Sequence, residues 1–534
     1  MIRYFTLVFF LQISFFSFAQ NIWLNNETNV LNEQTVFPDS NFHFTIKPYT
    51  VKDFNNFNKV ENVKVKSKVL NHLLNSNLLE LKNNNFEMSV NPIIHSQYFF
   101  DNGSKDFFSN NRIGFNLFSK IKDKFFLTSD FFYSKLQLPF FQKQFVNSFS
   151  IIPHYGKLIA NNKNNYSFIS FSGELSFHPI KNIFFHIGRG KHFFGNGYRS
   201  LFLSDNSNSY NYVKATVDIW KIKYVWMATN LNDFEVFNFK QDYILYKKAA
   251  FIHYLSLNLT KRININFFET IITNPYDQKG NRVGYEAAYF NPVIFYRPVE
   301  FYSGTSDNSL LGIGANFRLF KSLHLYSQFI LDDLLISTLK DGLGWWGNKY
   351  GIQAGLKAYD FMNVKGLFFR GEINIVRPYT YSHGINENSN NIFPEEKVLN
   401  LNYGNYHQNL AHPMGANFAE GITELSYNKG RFMTSATIIL AKKGIDKDTI
   451  SYGGDIYKNY LFRLNNYGIS FLQGEISKFA FVDLKTSYLI NPNYNLRFEL
   501  GAYFRKISNV SENVNNAIFY FGLSSNIFNE KVDF

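Results

Sequence analysis

The side chains best placed to do chemistry crowd into one stretch, Gly188 to Asn206, which reads GRGKHFFGNGYRSLFLSDN. Its glycines and Lys191 invite comparison with a phosphate-binding loop. Such a loop needs four residues between its first glycine and a Gly-Lys-Ser/Thr, and a helix after it. Here Lys191 is followed by His192, and the surrounding pattern is one of strands. The glycines therefore read first as a sharp bend where the chain leaves a strand. A ligand-facing loop on a rigid scaffold is the second reading. Just downstream, Arg199, Asp205 and Asn206 stand near Tyr198 and Phe202. Rings for stacking beside charged and amide groups for bidentate hydrogen bonds suit sugar recognition. The plainer alternative is packing inside a barrel, where the charges pair across the lumen.

A second stretch, Tyr406 to Phe418, contains His407 and His412. Their spacing matches no standard metal motif, so two loop histidines bonded to backbone or water are expected. A Gly-x-Ser-x-Gly elbow is absent and no triad stands out. No catalytic residue, metal or cofactor is expected, and the chain reads as non-enzymatic; an outer-membrane lipase or lipid A enzyme is the weaker alternative. The candidate ligand contacts are Arg189, Lys191, His192, Arg199, Asp205 and Asn206, followed by Arg377, Tyr379, Tyr381 and His412. Their mode of action would be multivalent polar and stacking contact without bond making.

What must position these residues is a set of alternating segments. In Ser167 to His178, Ile169, Phe171, Leu175 and Phe177 share one face, opposite Phe168, Glu174, Ser176 and His178. Leu367, Phe369, Ile373 and Ile375 oppose Arg370, Glu372 and Asn374, and Leu496, Phe498, Leu500, Ala502 and Phe504 oppose Arg497, Glu499, Tyr503 and Arg505. Side chains alternate faces along a strand, so each segment has one oily and one charged side. The segments run about ten residues, the length of a tilted transmembrane strand. A barrel places the oily face in lipid and the charged face in the lumen. Composition agrees. Aromatic residues make up 19% of the 534, with 62 Phe and 34 Tyr, as lipid-facing bands and girdles require. The net charge of +13 is scattered rather than clustered, which argues against nucleic acid and for anionic lipid or acidic polysaccharide. The absence of cysteine excludes disulfides, thiolate chemistry and a lipoprotein anchor.

The expected class is all-β: a transmembrane, outer-membrane antiparallel barrel of roughly 16–18 strands. Residues 1–19 read as a cleaved signal peptide, with Arg3 ahead of an apolar run and small residues at Ser17 and Ala19. Residues 20–85 read as a periplasmic pre-barrel segment or a disordered leader, with Val69 to Leu81 as a short amphipathic helix; residues 86–534 form the barrel. The aromatic strand Ala517 to Leu523 and the final Phe534 fit the C-terminal signal read by the barrel-assembly machinery. Long inserts at Leu136–Tyr166, His192–Asn211, Thr273–Asn308, Arg377–Gly415 and Lys442–Tyr467 would lie at the cell surface or fold into the lumen. If the lumen is open instead, the chain is a porin-like channel.

The Gly188–Asn206 block resembles the barrel segment of Wzi-type capsule-assembly outer-membrane proteins, and more closely the Bacteroidetes branch of RemB gliding-motility proteins. Tyr289–Val293, Arg297–Glu300, Gly344–Gly351, Arg377–His383 and Leu410–Phe418 carry the same resemblance in order along the chain. It implies about 18 strands, a periplasmic helical element before the barrel and a non-enzymatic surface role. The implied partners are surface polysaccharide and, for the gliding branch, adhesion or motility components.

Overall fold

The computed structural model describes residues 24–36, 42–50, 60–122, 124–162, 165–236, 243–275, 284–293, 307–320, 322–384, 401–525, 527–529 and 533. The expected signal peptide, the Arg297–Glu300 block and Phe534 lie outside the described residues.

Strict alternation over long segments produces long strands. They are β1 (Phe86–Asp101), β2 (Asp106–Ile121), β3 (Phe125–Leu136), β4 (Asn165–Ile180), β5 (Ile183–Gly190), β6 (Tyr210–Ile219), β7 (Ile222–Val236), β8 (Tyr243–Asn258) and β9 (Ile263–Thr273). Next come β10 (Asn308–Arg318), β11 (Leu323–Asp333), β12 (Lys349–Tyr359), β13 (Leu367–Val376), β14 (Phe418–Lys429), β15 (Phe432–Ile445), β16 (Glu475–Asn491), β17 (Leu496–Ser508) and β18 (Asn513–Ser525). These eighteen strands pair antiparallel in sequence order, and β18 closes on β1 with Ile518 opposite Asp101 and Ser524 opposite His95. Each of the eighteen strands is thus paired on both sides, as a structure spanning lipid requires.

The outward face is apolar: Ile373 is 57% and Leu500 58% exposed, while Arg370, of opposite parity to Ile373 on the same strand, is 1% exposed. Connections at one end are tight, such as Lys181–Asn182 between β4 and β5 and Trp220–Lys221 between β6 and β7. Connections at the other end are mostly long. Short turns mark the periplasmic side of such barrels and long ones the cell surface. Exposed rings at the short-turn end, Trp220, Phe125 and Phe432 among them, form part of an interfacial girdle.

The lumen is not lined by polar residues alone. Beside buried polar residues such as Asn266 and Gln328, the inward face of β7 to β11 carries buried apolar ones, Met227, Ile252, Tyr254, Phe268, Ile272 and Ile330. They pack against chain threaded through the barrel: Ile46, Phe194, Leu201 to Leu203, Tyr403 and Leu410. Residues of the expected pre-barrel segment lie inside as well. Helix α1 (Asn26–Val36) and the strand Ile46–Lys47 sit in the lumen at the short-turn end, where Thr45 bonds Asn266 and His43 bonds Ser256. The helix expected over Val69 to Leu81 is shorter. It runs Lys68–Asn75 (α2), capped by Ser67, and Leu79–Lys82 instead adds a short strand beside β1. Leu79 and Leu81 alternate with Glu80 and Lys82, so an edge-strand pattern overrides the helical one there.

The insert after β9 is neither a surface loop nor a lumenal one in its described part. Residues 284–293 fold back as a flap on the outer wall, with Tyr289 buried against Phe251 and Ile271. Tyr289 Oη donates to Asp307 Oδ2 at 2.7 Å, and Tyr224 Oη donates to the Pro292 carbonyl. His253 and Glu269 face each other across β8 and β9 on the outward side, 3.5 Å apart and almost wholly buried. A His–carboxylate pair on a lipid-facing wall is costly, and the flap docks on the neighbouring Phe251 and Ile271. Glu269→Leu, which leaves one member of the pair buried without the other, is expected to destabilise the barrel by about 3 kcal/mol. The double replacement H253L/E269L is expected to be near neutral in urea unfolding from lipid; equal losses in both would show that the two side chains are not coupled.

Candidate functional site

After β5 the chain turns into the lumen, and glycine makes the turn possible. A Cβ on Gly197 would lie 2.4 Å from Glu372 Oε2 and 2.5 Å from the Arg199 carbonyl. With no side chain there, the amides of Tyr198 and Arg199 both donate to Glu372, at 2.7 and 3.1 Å. Gly195, at φ 151°, lets the chain pass close to Gln328, whose Nε2 donates to the Phe194 carbonyl at 2.9 Å. The bend read from the sequence is therefore the entry of a plug.

Arg199 is its centre. The guanidinium is 1% exposed, and Nη2 lies 3.0 Å from Asp533 Oδ2 and 3.4 Å from Glu420 Oε1. Glu420 also holds His412, whose Nε2 is 2.6 Å from Oε2. The His412 Nδ1 accepts from the Met414 amide, so Nε2 carries the proton. Burial pushes this imidazole below its usual range, with Glu420 opposing. Both ring nitrogens are thus engaged with the protein. His407 lies between Phe149 and Tyr457, with ring centroids 3.7 and 4.2 Å away.

The other expected contacts spread out. His192 joins a lumenal cluster with Lys214, which bridges it to Glu174; His186 and Tyr212 bond the same carboxylate. Lys191 donates to the Asp205 carbonyl at 3.1 Å, and Asn529 bonds the Asp205 side chain at 2.6 Å. Asn206 donates to the Asn409 carbonyl, tying the two long inserts together. Tyr381 donates to the Leu201 carbonyl and Tyr379 to the Ser451 carbonyl. Arg377 stacks over Tyr350 at 5.4 Å. Arg189 pairs with Asn211 in register with exposed Ile187 and Val213, so it faces outward. The structure therefore brings Arg199 and His412 together in one network, with Tyr381 on the same plug, and sets Arg189, Arg377 and Tyr379 elsewhere.

A second network anchors the short-turn end. Glu33 of α1 lies 2.8 Å from Lys357 and 3.2 Å from Lys47, and accepts from the Tyr49 and Tyr359 hydroxyls. Burial alone would raise this carboxyl, but Lys357 and Lys47 outweigh it and hold the group far below the usual carboxylate range.

Beside the plug runs a cavity of about 210 Å³, lined by both polar and aromatic side chains, that the sequence did not single out. Its wall carries a row of lumenal rings. Phe108 of β2 stacks on Phe99 of β1 at 4.9 Å, Phe99 meets Tyr520 of β18 at 5.7 Å, and Tyr520 meets Tyr503 of β17 at 6.2 Å. Around it stand Glu27, Asp483, Lys485, Glu499, Gln97 and Asn110. Gln97 donates to Glu499 at 2.7 Å, and Lys485 pairs with Glu27. Carboxylate and amide acceptors beside ring faces can hold hydroxyl-rich ligands. Each strand gives one ring to the row, so no linear motif contains it. Its trace in the sequence is the lumenal parity of Glu499, Tyr503 and Tyr520.

No family model matches the chain and no curated protein does. Solved structures do. Wzi of Escherichia coli, an outer membrane protein involved in group 1 capsule assembly and a carbohydrate-binding β-barrel, superposes with a TM-score of 0.53 at 10% identity, covering 94% of this chain and 99% of that one. OprD of Pseudomonas aeruginosa gives 0.42 at 9% identity, over 82% and 94%. A BenF-like porin of Pseudomonas fluorescens gives 0.43 at 9%, over 81% and 97%. At these identities the likeness is one of fold: an outer-membrane-type barrel.

Gly197→Val is expected to expel the plug entrance from Glu372 while the barrel itself still closes. Limited proteolysis of the folded, heat-modifiable barrel should then cut within residues 191–209, which the wild type protects; unchanged protection would contradict the close approach described.

Proposed function

We propose that this chain is a non-enzymatic outer-membrane barrel that holds surface polysaccharide, in capsule assembly or in cell-surface adhesion during gliding. The observation that carries this reading is the lumen. Its own chain fills it, and the space left beside the plug is walled by an aromatic row and by carboxylate and amide groups. Sugar rings present apolar C–H faces that pack on aromatic rings, and their hydroxyls need such acceptors. Wzi of Escherichia coli, described as carbohydrate-binding, shares the architecture. The many buried charges are paired within the plug, which suits a static holder better than a reacting site.

The partners on this reading are outer-membrane lipid, the barrel-assembly machinery and a polysaccharide chain. Motility or adhesion components join them if the gliding role holds. The plug networks around Arg199 and Glu33 keep the cavity wall in place, and the aromatic row makes the contact. Binding of the organism's own purified polysaccharide to the reconstituted barrel should weaken about tenfold, ~1.4 kcal/mol, in Y503A/Y520A. Unchanged binding in a folded double variant would remove the cavity as the sugar site. Saturable turnover of sugar or acyl substrate would replace the reading with an enzymatic one.

A further inference from the structure

The outer wall from β3 to β8 and the flap enclose a crevice of about 710 Å³. Its floor is apolar, formed by Leu127, Phe171, Leu175, Ile187, Val213 and Ala228. Phe171, Leu175 and Ile187 remain exposed. The floor dips at Gly173, which sets no side chain between Phe171 and Leu175 on the outward face. Tyr285 and Phe290 of the flap make the side, with Phe290 edge-on to Phe251 at 4.9 Å.

One end of the crevice is different. Arg189 lies opposite Gly173 on β4 and Asn211 on β6, and Asn211 lies opposite Asn230 on β7. The Arg189 Nη1 donates to Asn211 Oδ1 at 3.4 Å, and the Tyr406 phenol lies beside it. β5 ends at Gly190, so this polar row stands toward the long-connection rim, above the apolar floor. A cation on the lipid-facing wall is tolerated where its head reaches the headgroup layer. An ordinary annular lipid needs neither a crevice nor a cation. A planar guanidinium beside amide donors is suited to a phosphate.

We infer that this crevice binds one phosphate-bearing membrane lipid, with an acyl chain on the apolar floor beside Tyr285 and Phe290 and the phosphate on Arg189, Asn211 and Asn230. The site is independent of the sugar reading and uses the opposite face of the wall. Charge complementarity selects the occupant, since the apolar floor alone would accept any acyl chain.

The test is native mass spectrometry of the full-length barrel released from nanodiscs holding equal phosphatidylglycerol and phosphatidylcholine. The wild type should keep one phosphatidylglycerol through delipidation, in preference to phosphatidylcholine. Arg189→Gln should lower that retention about tenfold, ~1.4 kcal/mol. Ala228→Trp, which fills the floor, should lower retention of both lipids. Heat-modifiable migration confirms that each variant is folded, and the two are scored separately, so failure of one to assemble leaves the other to decide. Equal retention of both lipids by the wild type, or retention unchanged in a folded Arg189→Gln or Ala228→Trp variant, would overturn the site and leave annular lipid only.

Discussion

A closed barrel of eighteen strands encloses more space than its own inward side chains can fill. Barrels of this size either hold water or hold something else, and this chain supplies its own filling. Every other lumenal feature follows from that constraint. The inward face of β7 to β11 can carry buried apolar residues because it meets protein rather than water. The opposite wall, β1 and β16 to β18, stays polar and aromatic because the plug does not reach it fully.

Filling a lumen with polar chain requires that buried groups be paired. The plug meets this from two ends. From the short-turn side, α1 brings Glu33 to Lys357 and Tyr359 on β12. From β5, the glycine bend brings Arg199 to Glu420 and Asp533, with Glu372 taking the backbone amides. Such pairs add little net stability over apolar packing, yet losing one partner is costly. Their effect is to specify a single seating of the plug. The same logic acts on the outer wall, where His253 and Glu269 are buried against each other beside the docked flap.

The barrel was legible because its signal is local and repeated. The opposed faces at Ile169–Phe177, Ile373–Ile375 and Phe498–Phe504 are all exposed outward, and their polar partners are buried. The Gly188–Asn206 block was legible as unusual, and its bend at Gly195–Gly197 is real. Its partners were not, since Glu372, Glu420 and Asp533 lie far along the chain and only barrel closure brings them to Arg199. The aromatic row was hidden for the same reason, as four strands contribute one ring each. Arg189 sat beside Lys191 in sequence, yet strand parity sends it to the lipid side. The flap could not be foreseen from an insert's length, because it docks on Phe251 and Ile271, which only strand pairing sets side by side.

The lumen is occupied by the protein's own chain. Single-channel recording of the purified barrel in a planar bilayer probes that occupancy. No steady open-channel current is expected from the wild type. A stable, ohmic conductance of porin size from the wild type would contradict it and make the barrel a solute channel.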